Sequence, residues 1–191
     1  MTENEAGKLA RFLYEAGHLK NLPRSGWLVA GIKNPESVAD HSFRVAVMAA
    51  LLAKLEGADV GRAVTLAVFH DLAETRTGDL HKMAQKYLDG KDGAEKAGNG
   101  QAESLPSPLN AFLKDAASEI HEKTSPEAAI VADADRLDCL LSALEYGACG
   151  FPTSEWVENS KNSLATESAR AIAKAALEQD PFKWWEGLTV T

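Results

Sequence analysis

Residues 37–78 read SVADHSFRVAVMAALLAKLEGADVGRAVTLAVFHDLAETRTG, two helical patterns with a break between them. In the first, Val38, His41, Val45, Met48 and Leu52 recur at spacings of three and four, the period of one buried helix face. Ser37 offers an N-cap oxygen, and Asp40, three residues on, supplies the acid of a capping box. Glu56-Gly57 closes this helix and Asp59 caps the next. The second stripe is Ala63, Leu66, Ala67, His70 and Glu74, and that helix is expected to run to about Gly78. Both stripes contain a histidine, so His41 and His70 should face inward from separate helices.

The same periodicity extends outward in both directions. Leu9, Phe12, Leu13 and Ala16 mark a helix ending near residue 20, before Leu22-Pro23. Residues 21–36 read as an irregular connection in which only Trp27-Leu28-Val29 leans toward strand. A short helix is expected through Leu80, Met83, Ala84 and Tyr87, then a mobile Gly-rich loop over 89–108 that could lid a site. Helices resume at about 109–123, 125–148 and 154–178, and Phe182, Trp184 and Trp185 are expected to dock back on the bundle. The reading is an all-α fold in one domain over 1–191, with its core at about 9–150 and a C-terminal helix and tail at 154–191.

Composition narrows the function. A chain of 191 residues with 45% hydrophobic and 25% charged residues suits one ordinary globular domain. The formal charge of −8 disfavours a nucleic-acid partner, although a bound cation can reverse the sign inside a pocket. Cys139 and Cys149 show no paired spacing and read as reduced thiols. No apolar run reaches a membrane-spanning length, and the polar start MTENEAGKLA is unlike a signal peptide, so a cytoplasmic location is expected.

His41, His70 and Asp71 directed into one interior are costly to bury unless paired or bound to a cation. Imidazole with carboxylate suits Zn, Mn, Fe, Co or Ni better than Ca. Glu74 lies three and four residues beyond the Asp71 and His70 pair, on the same face and placed to move protons. Asp79, just past Gly78, can turn back toward the same pocket. A fourth ligand should come from VADADRLDCLLSALEY, which offers Asp133, Asp135 and Asp138. The apolar centre of that helix, set by Ile130, Leu137, Leu141 and Leu144, lies nearer Asp133. Asp138 and Glu145 read as ion-pair or supporting groups.

The ordered set PESVADHSFRVA, LAVFHDLAETRTGDLHKMAQKY and VADADRLDCLLSALEY resembles the HD-domain phosphohydrolases, and within them the 5'-deoxynucleotidase-like branch. The resemblance spans roughly residues 9–150. It implies a metal-dependent phosphohydrolase acting on (deoxy)nucleoside 5'-monophosphates, with one divalent ion (Co, Mn, Zn, Fe or Ni, or Mg) held by His41, His70, Asp71 and Asp135. It places Glu74 and Asp79 on acids acting in catalysis, and Arg24 and Trp27 on an Arg-Trp pair that seats the nucleotide. That pair is adjacent in the nucleotidases, whereas Ser25-Gly26 intervene here. It also implies a homodimer, for which the Trp-rich tail is one candidate interface. The same ligand set serves phosphodiesterases and other nucleotide phosphohydrolases, and a structural ion in a non-catalytic nucleotide-binding module is the alternative from another class.

Overall fold

The computed structural model describes residues 1–188. Helix α1 (Glu3–Gly17) starts from a capping box at Thr2 and Glu5, and a 3-10 turn follows at His18–Asn21. The stretch that leans toward strand is instead a short helix, α2 (Ser25–Val29). Its indole faces the core while Leu28 and Val29 face outward, a split that one helical turn provides and a two-residue alternation does not. The only β pairing among the described residues is an isolated bridge between Pro23 and Ser37.

Helix α3 (Val38–Glu56) has the expected capping box at Ser37 and Asp40, and it ends at Gly57 in the left-handed conformation that glycine tolerates. Helix α4 (Val60–Phe69) is capped by Asp59. It stops at Phe69, well before the end near Gly78 that the periodicity indicates, because His70–Ala73 form tight turns before α5 (Glu74–Thr77). In this linker the amides of Leu72, Glu74 and Thr75 reach back three residues rather than four. The His-Asp pair therefore sits in a break between helices. A 3-10 turn at Ala84–Lys86 replaces the short helix expected after Leu80.

Residues 90–104 are the largest departure. The expected Gly-rich loop is a helix, α6 (Gly90–Ser104), capped by Asp89. Its glycines disfavour helix by about 1 kcal/mol each relative to alanine, and tertiary contacts override them. Gln101 is buried, and its amide NH2 shares its two hydrogens among the Leu72 carbonyl, Thr75 Oγ1 and Glu15 Oε1. Gly100 leaves room for Arg76, whose Nη1 would lie 2.7 Å from an added Cβ.

Helices α7 (Leu109–Glu122) and α8 (Pro126–Ala148, capped by Ser125) match their expected spans. The segment expected as one helix over 154–178 is two, α9 (Ser154–Asn162) and α10 (Glu167–Leu177), because Thr166 begins a new N-cap. The tail does not dock: Phe182, Trp184, Trp185 and Leu188 are all exposed. Helices α3, α4 and α8 pack round a core that includes Ala49, Leu52, Leu66, Leu137 and Leu140. A second cluster of Phe12, Leu19, Val38, Leu72 and Leu113 joins α1, α3, the His-Asp linker and α7.

Candidate metal centre

The polar centre lies where α3, α8 and the α4–α5 linker meet. His41, fully buried on α3, donates from Nδ1 to Asp138 Oδ2 at 2.6 Å, which fixes its tautomer and leaves the Nε2 lone pair pointing away. His70 donates from Nδ1 to the Ala67 carbonyl at 2.7 Å, with the same consequence. The two Nε2 atoms lie 3.3 Å apart. Asp71 Oδ2 stands 3.2 Å from His70 Nε2 and 3.5 Å from His41 Nε2, and Asp135 Oδ1 stands 3.3 Å from His41 Nε2.

The donor set fits a divalent cation. Two imidazole lone pairs and two carboxylates converge, and Asp71 Oδ2 is buried without a hydrogen-bond partner. One cation would satisfy all of these atoms together, and the mixed nitrogen and oxygen set suits a transition metal. Protons are the other way to relieve the crowding. Burial opposes charge on His41, but hydrogen bonds to Asp135 and Asp138 push it up to about 10. Burial raises the Asp71 carboxyl, yet His70, His41 and Arg24 outweigh it and bring it well below the usual range.

Glu74 sits over Asp71 because the linker turns in steps of three residues, which stack side chains at i and i+3. Burial, with Asp71 and Asp79 nearby, pushes Glu74 up to about 9, and its Oε2 also has no partner. Asp79 is brought round by Gly78, whose φ of 73° and ψ of 163° suit glycine. Its Oδ2 accepts the Ser25 amide at 2.7 Å, and its carbonyl accepts the Ser25 hydroxyl at 2.8 Å. The same hydroxyl accepts the His81 amide at 3.1 Å.

Arg24, at the start of α2, brings its guanidinium within 3.6 Å of Asp71 and 3.9 Å of Asp135. Trp27 is placed differently. Its side chain is in the core, packed on Tyr146 and Trp156, and its indole N–H donates to Glu36 Oε1 at 2.8 Å. Among the described residues, then, Arg24 reaches the polar centre directly, and Trp27 anchors the segment that carries it.

The three candidate aspartates on α8 separate cleanly, with Asp138 behind His41. Asp133 is fully buried, as the helical wheel indicates, but its carboxylate accepts the amides of Ala165 and Thr166 ahead of α10. Asp135 is the one that meets His41. Behind His41 lies a network that includes residues not singled out from the sequence. Arg44 Nε donates to Asp138 Oδ1, and its other nitrogens donate to Glu145 and Ser142, each at 2.6 Å. Glu36 joins it by accepting the Ser142 hydroxyl. The available signal was spacing: Arg44 follows His41 by three residues and Asp138 follows Asp135 by three, each pair on one helix face.

An all-helical domain with a His, His-Asp and Asp centre defines the class of HD-domain proteins, and this chain belongs to that family. The family described as HD domain matches residues 16–177. The chain is similar to the 5'-deoxynucleotidase HDDC2 of Bos taurus, 36% identical over 76% of this chain and 71% of the relative. It is likewise similar to the 5'-deoxynucleotidase hdd1 of Schizosaccharomyces pombe, 31% identical over 71% of this chain and 70% of the relative. A conserved hypothetical protein of Pyrococcus furiosus has a solved structure that superposes with a TM-score of 0.75, at 34% identity over 89% of this chain and 99% of that one. No helix among the described residues is long and apolar enough to cross a membrane.

Proposed function

We propose that this protein is a metal-dependent phosphohydrolase that releases phosphate from deoxynucleoside 5'-monophosphates. The observation that carries the proposal is the buried, partnerless Asp71 Oδ2 facing the two Nε2 lone pairs of His41 and His70. Relatives named as 5'-deoxynucleotidases support the substrate class.

His41, His70, Asp71 and Asp135 would hold one divalent ion (Co, Mn, Zn, Fe or Ni, or Mg). When bound, such an ion polarises phosphoryl oxygens and makes water a competent nucleophile near neutral pH. Arg24 neutralises phosphate oxygens with a guanidinium already beside Asp71 and Asp135. Glu74 and Asp79 share the proton work: one orients the attacking water and the other donates to the leaving 5'-oxygen. Trp27 acts by fixing the Arg24 segment through Glu36, so its contribution to nucleotide seating is indirect. Phosphoryl transfer needs mainly positioning and charge stabilisation, which this set provides. The acidic surface disfavours nucleic acid as a substrate, and the unpaired Cys139 and Cys149 suit the cytoplasm.

Replacing the acids tests the assignment. Glu74→Gln and Asp79→Asn should lose turnover while binding the ion as the parent protein does. Turnover surviving in both variants would remove the acid–base roles from Glu74 and Asp79, whereas a parent protein that binds the ion but turns over no nucleotide would leave a binding module with a structural ion.

A further inference from the structure

Gln101 is a polar side chain where packing alone would favour an apolar one. It is 1% exposed, on a helix of 15 residues that includes Gly90, Gly93, Gly98 and Gly100. A buried amide is costly unless its donors are met. The partners of this one all lie outside α6. The Leu72 carbonyl is 3.0 Å from Nε2, and Thr75 Oγ1 and Glu15 Oε1 are 2.8 and 2.9 Å from it.

Leu72 is the partner that bears on the metal centre. It follows Asp71 directly and precedes Glu74 by two residues, in the linker whose turns reach back three residues. Such turns make poorer hydrogen bonds than an α-helix and rarely sustain more than a few residues by themselves. Within the linker the Leu72 carbonyl receives the Thr75 amide at 3.2 Å. Gln101 brings it a donor from a separate helix. The Leu72 side chain is held by α6 as well, in the apolar cluster that takes in Ala102. On either side of this pivot, Asp71 Oδ2 and Glu74 Oε2 are buried without a hydrogen-bond partner. No hydrogen bond fixes those two oxygens, so the backbone between them sets where they lie.

We propose that Gln101 is a positioning residue: by clamping the Leu72 carbonyl it sets Asp71 against His41 and His70, and Glu74 against Asp71. Helix α6 is then a strut for the metal centre. Glu15 does a different job. Its carboxylate accepts two hydrogen bonds from Arg76, at 2.6 and 2.9 Å, and ties α1 to α5. The bearing of Gln101 on turnover rests on the hydrolase reading; its bearing on ion binding does not.

Gln101→Met keeps the length and helix propensity of the side chain but offers Leu72 no donor. Competition with a chelating dye, using Co or Zn and the metal-stripped chain, should show affinity lowered about 10-fold. Turnover of a deoxynucleoside 5'-monophosphate at saturating metal should fall about 10–100-fold in kcat, with KM within about twofold because Arg24 is untouched. Glu15→Gln should lower the melting temperature while leaving ion affinity and kcat within about twofold. Gly98→Ala strengthens α6, since its Cβ would meet Ala117 Cβ at an ordinary 3.9 Å. Added to Gln101→Met it should restore neither quantity, and it keeps the test available if the single variant unfolds. Ion affinity within about twofold of the parent in Gln101→Met overturns the proposal. So does recovery of affinity on adding Gly98→Ala, which would make Gln101 a helix-docking residue, or an equal loss in Glu15→Gln. A parent that turns over no nucleotide refutes the hydrolase reading, and the ion affinities then decide the role of Gln101 by themselves.

Discussion

Replacing Asp138 with asparagine separates what holds the centre from what merely packs beside it. Asp138 is fully buried and accepts from two donors, His41 Nδ1 at 2.6 Å and Arg44 Nε. Asparagine keeps the shape but turns one of its two faces into a donor. One of those two N–H groups then meets an NH2, and the Arg44 charge loses a buried counter-charge. Breaking a buried pair in this way costs about 3 kcal/mol, and for a chain of this size that lowers the melting temperature by roughly 6–12 °C. Losing a carboxylate that orients a ligating imidazole also weakens metal affinity by about 10–100-fold. Thermal unfolding of the metal-stripped protein reads the first effect, and competition with a chelating dye reads the second. If the melting temperature falls while metal affinity stays within about twofold, far below the expected 10–100-fold, Asp138 is only a packing residue and the tautomer argument for His41 is wrong.

The clamp on Asp79 is tested at Ser25, the first residue of α2, where proline is tolerated. Ser25→Pro removes all three hydrogen bonds to the 79–81 segment and should lower turnover about 10–100-fold, whereas Ser25→Thr should retain it, and neither should change metal affinity. Gly78→Ala forces a side chain onto a φ of 73° and should cost about 1–3 kcal/mol in unfolding free energy, with turnover falling as Asp79 moves. In the metal-free protein the His41 imidazolium, held up to about 10, adds stability that is fully present below its ordinary value of 6.5 and lost as pH rises through 10. The melting temperature of the stripped protein should therefore fall across that window and metal affinity should rise. A flat melting profile in His41→Gln beside a sloping parent would assign the effect to His41.

Much of this structure is legible in local sequence because its helix ends are written in side chains. Ser37 with Asp40, Asp59 and Ser125 each cap the helix that their spacing indicates. Helix α6 was not legible, since its glycines argue against helix and its support comes from Glu15, Leu72 and Thr75, distant in sequence. The break at His70–Ala73 hides for a related reason: turns of three residues keep the apolar row nearly in phase with an uninterrupted helix. Asp133 and Asp135 show how far a helical wheel reaches. Helix α8 is buried on several sides, so an inward aspartate can hold the chain ahead of a neighbouring helix as well as approach His41. The Arg24 approach depends on a fold across the bridge between Pro23 and Ser37, which no local pattern announces.

The most direct measurement is phosphate release from a panel of deoxy- and ribonucleoside 5'-monophosphates by metal-stripped protein resupplied with Co, Mn, Mg, Zn or Ni. Wild type and Asp71→Ala are run side by side, with bound metal quantified in both. The account predicts metal-dependent release that favours deoxy substrates, together with loss of both metal and release in Asp71→Ala. No release from any monophosphate with any metal, or release unchanged in Asp71→Ala, would contradict it.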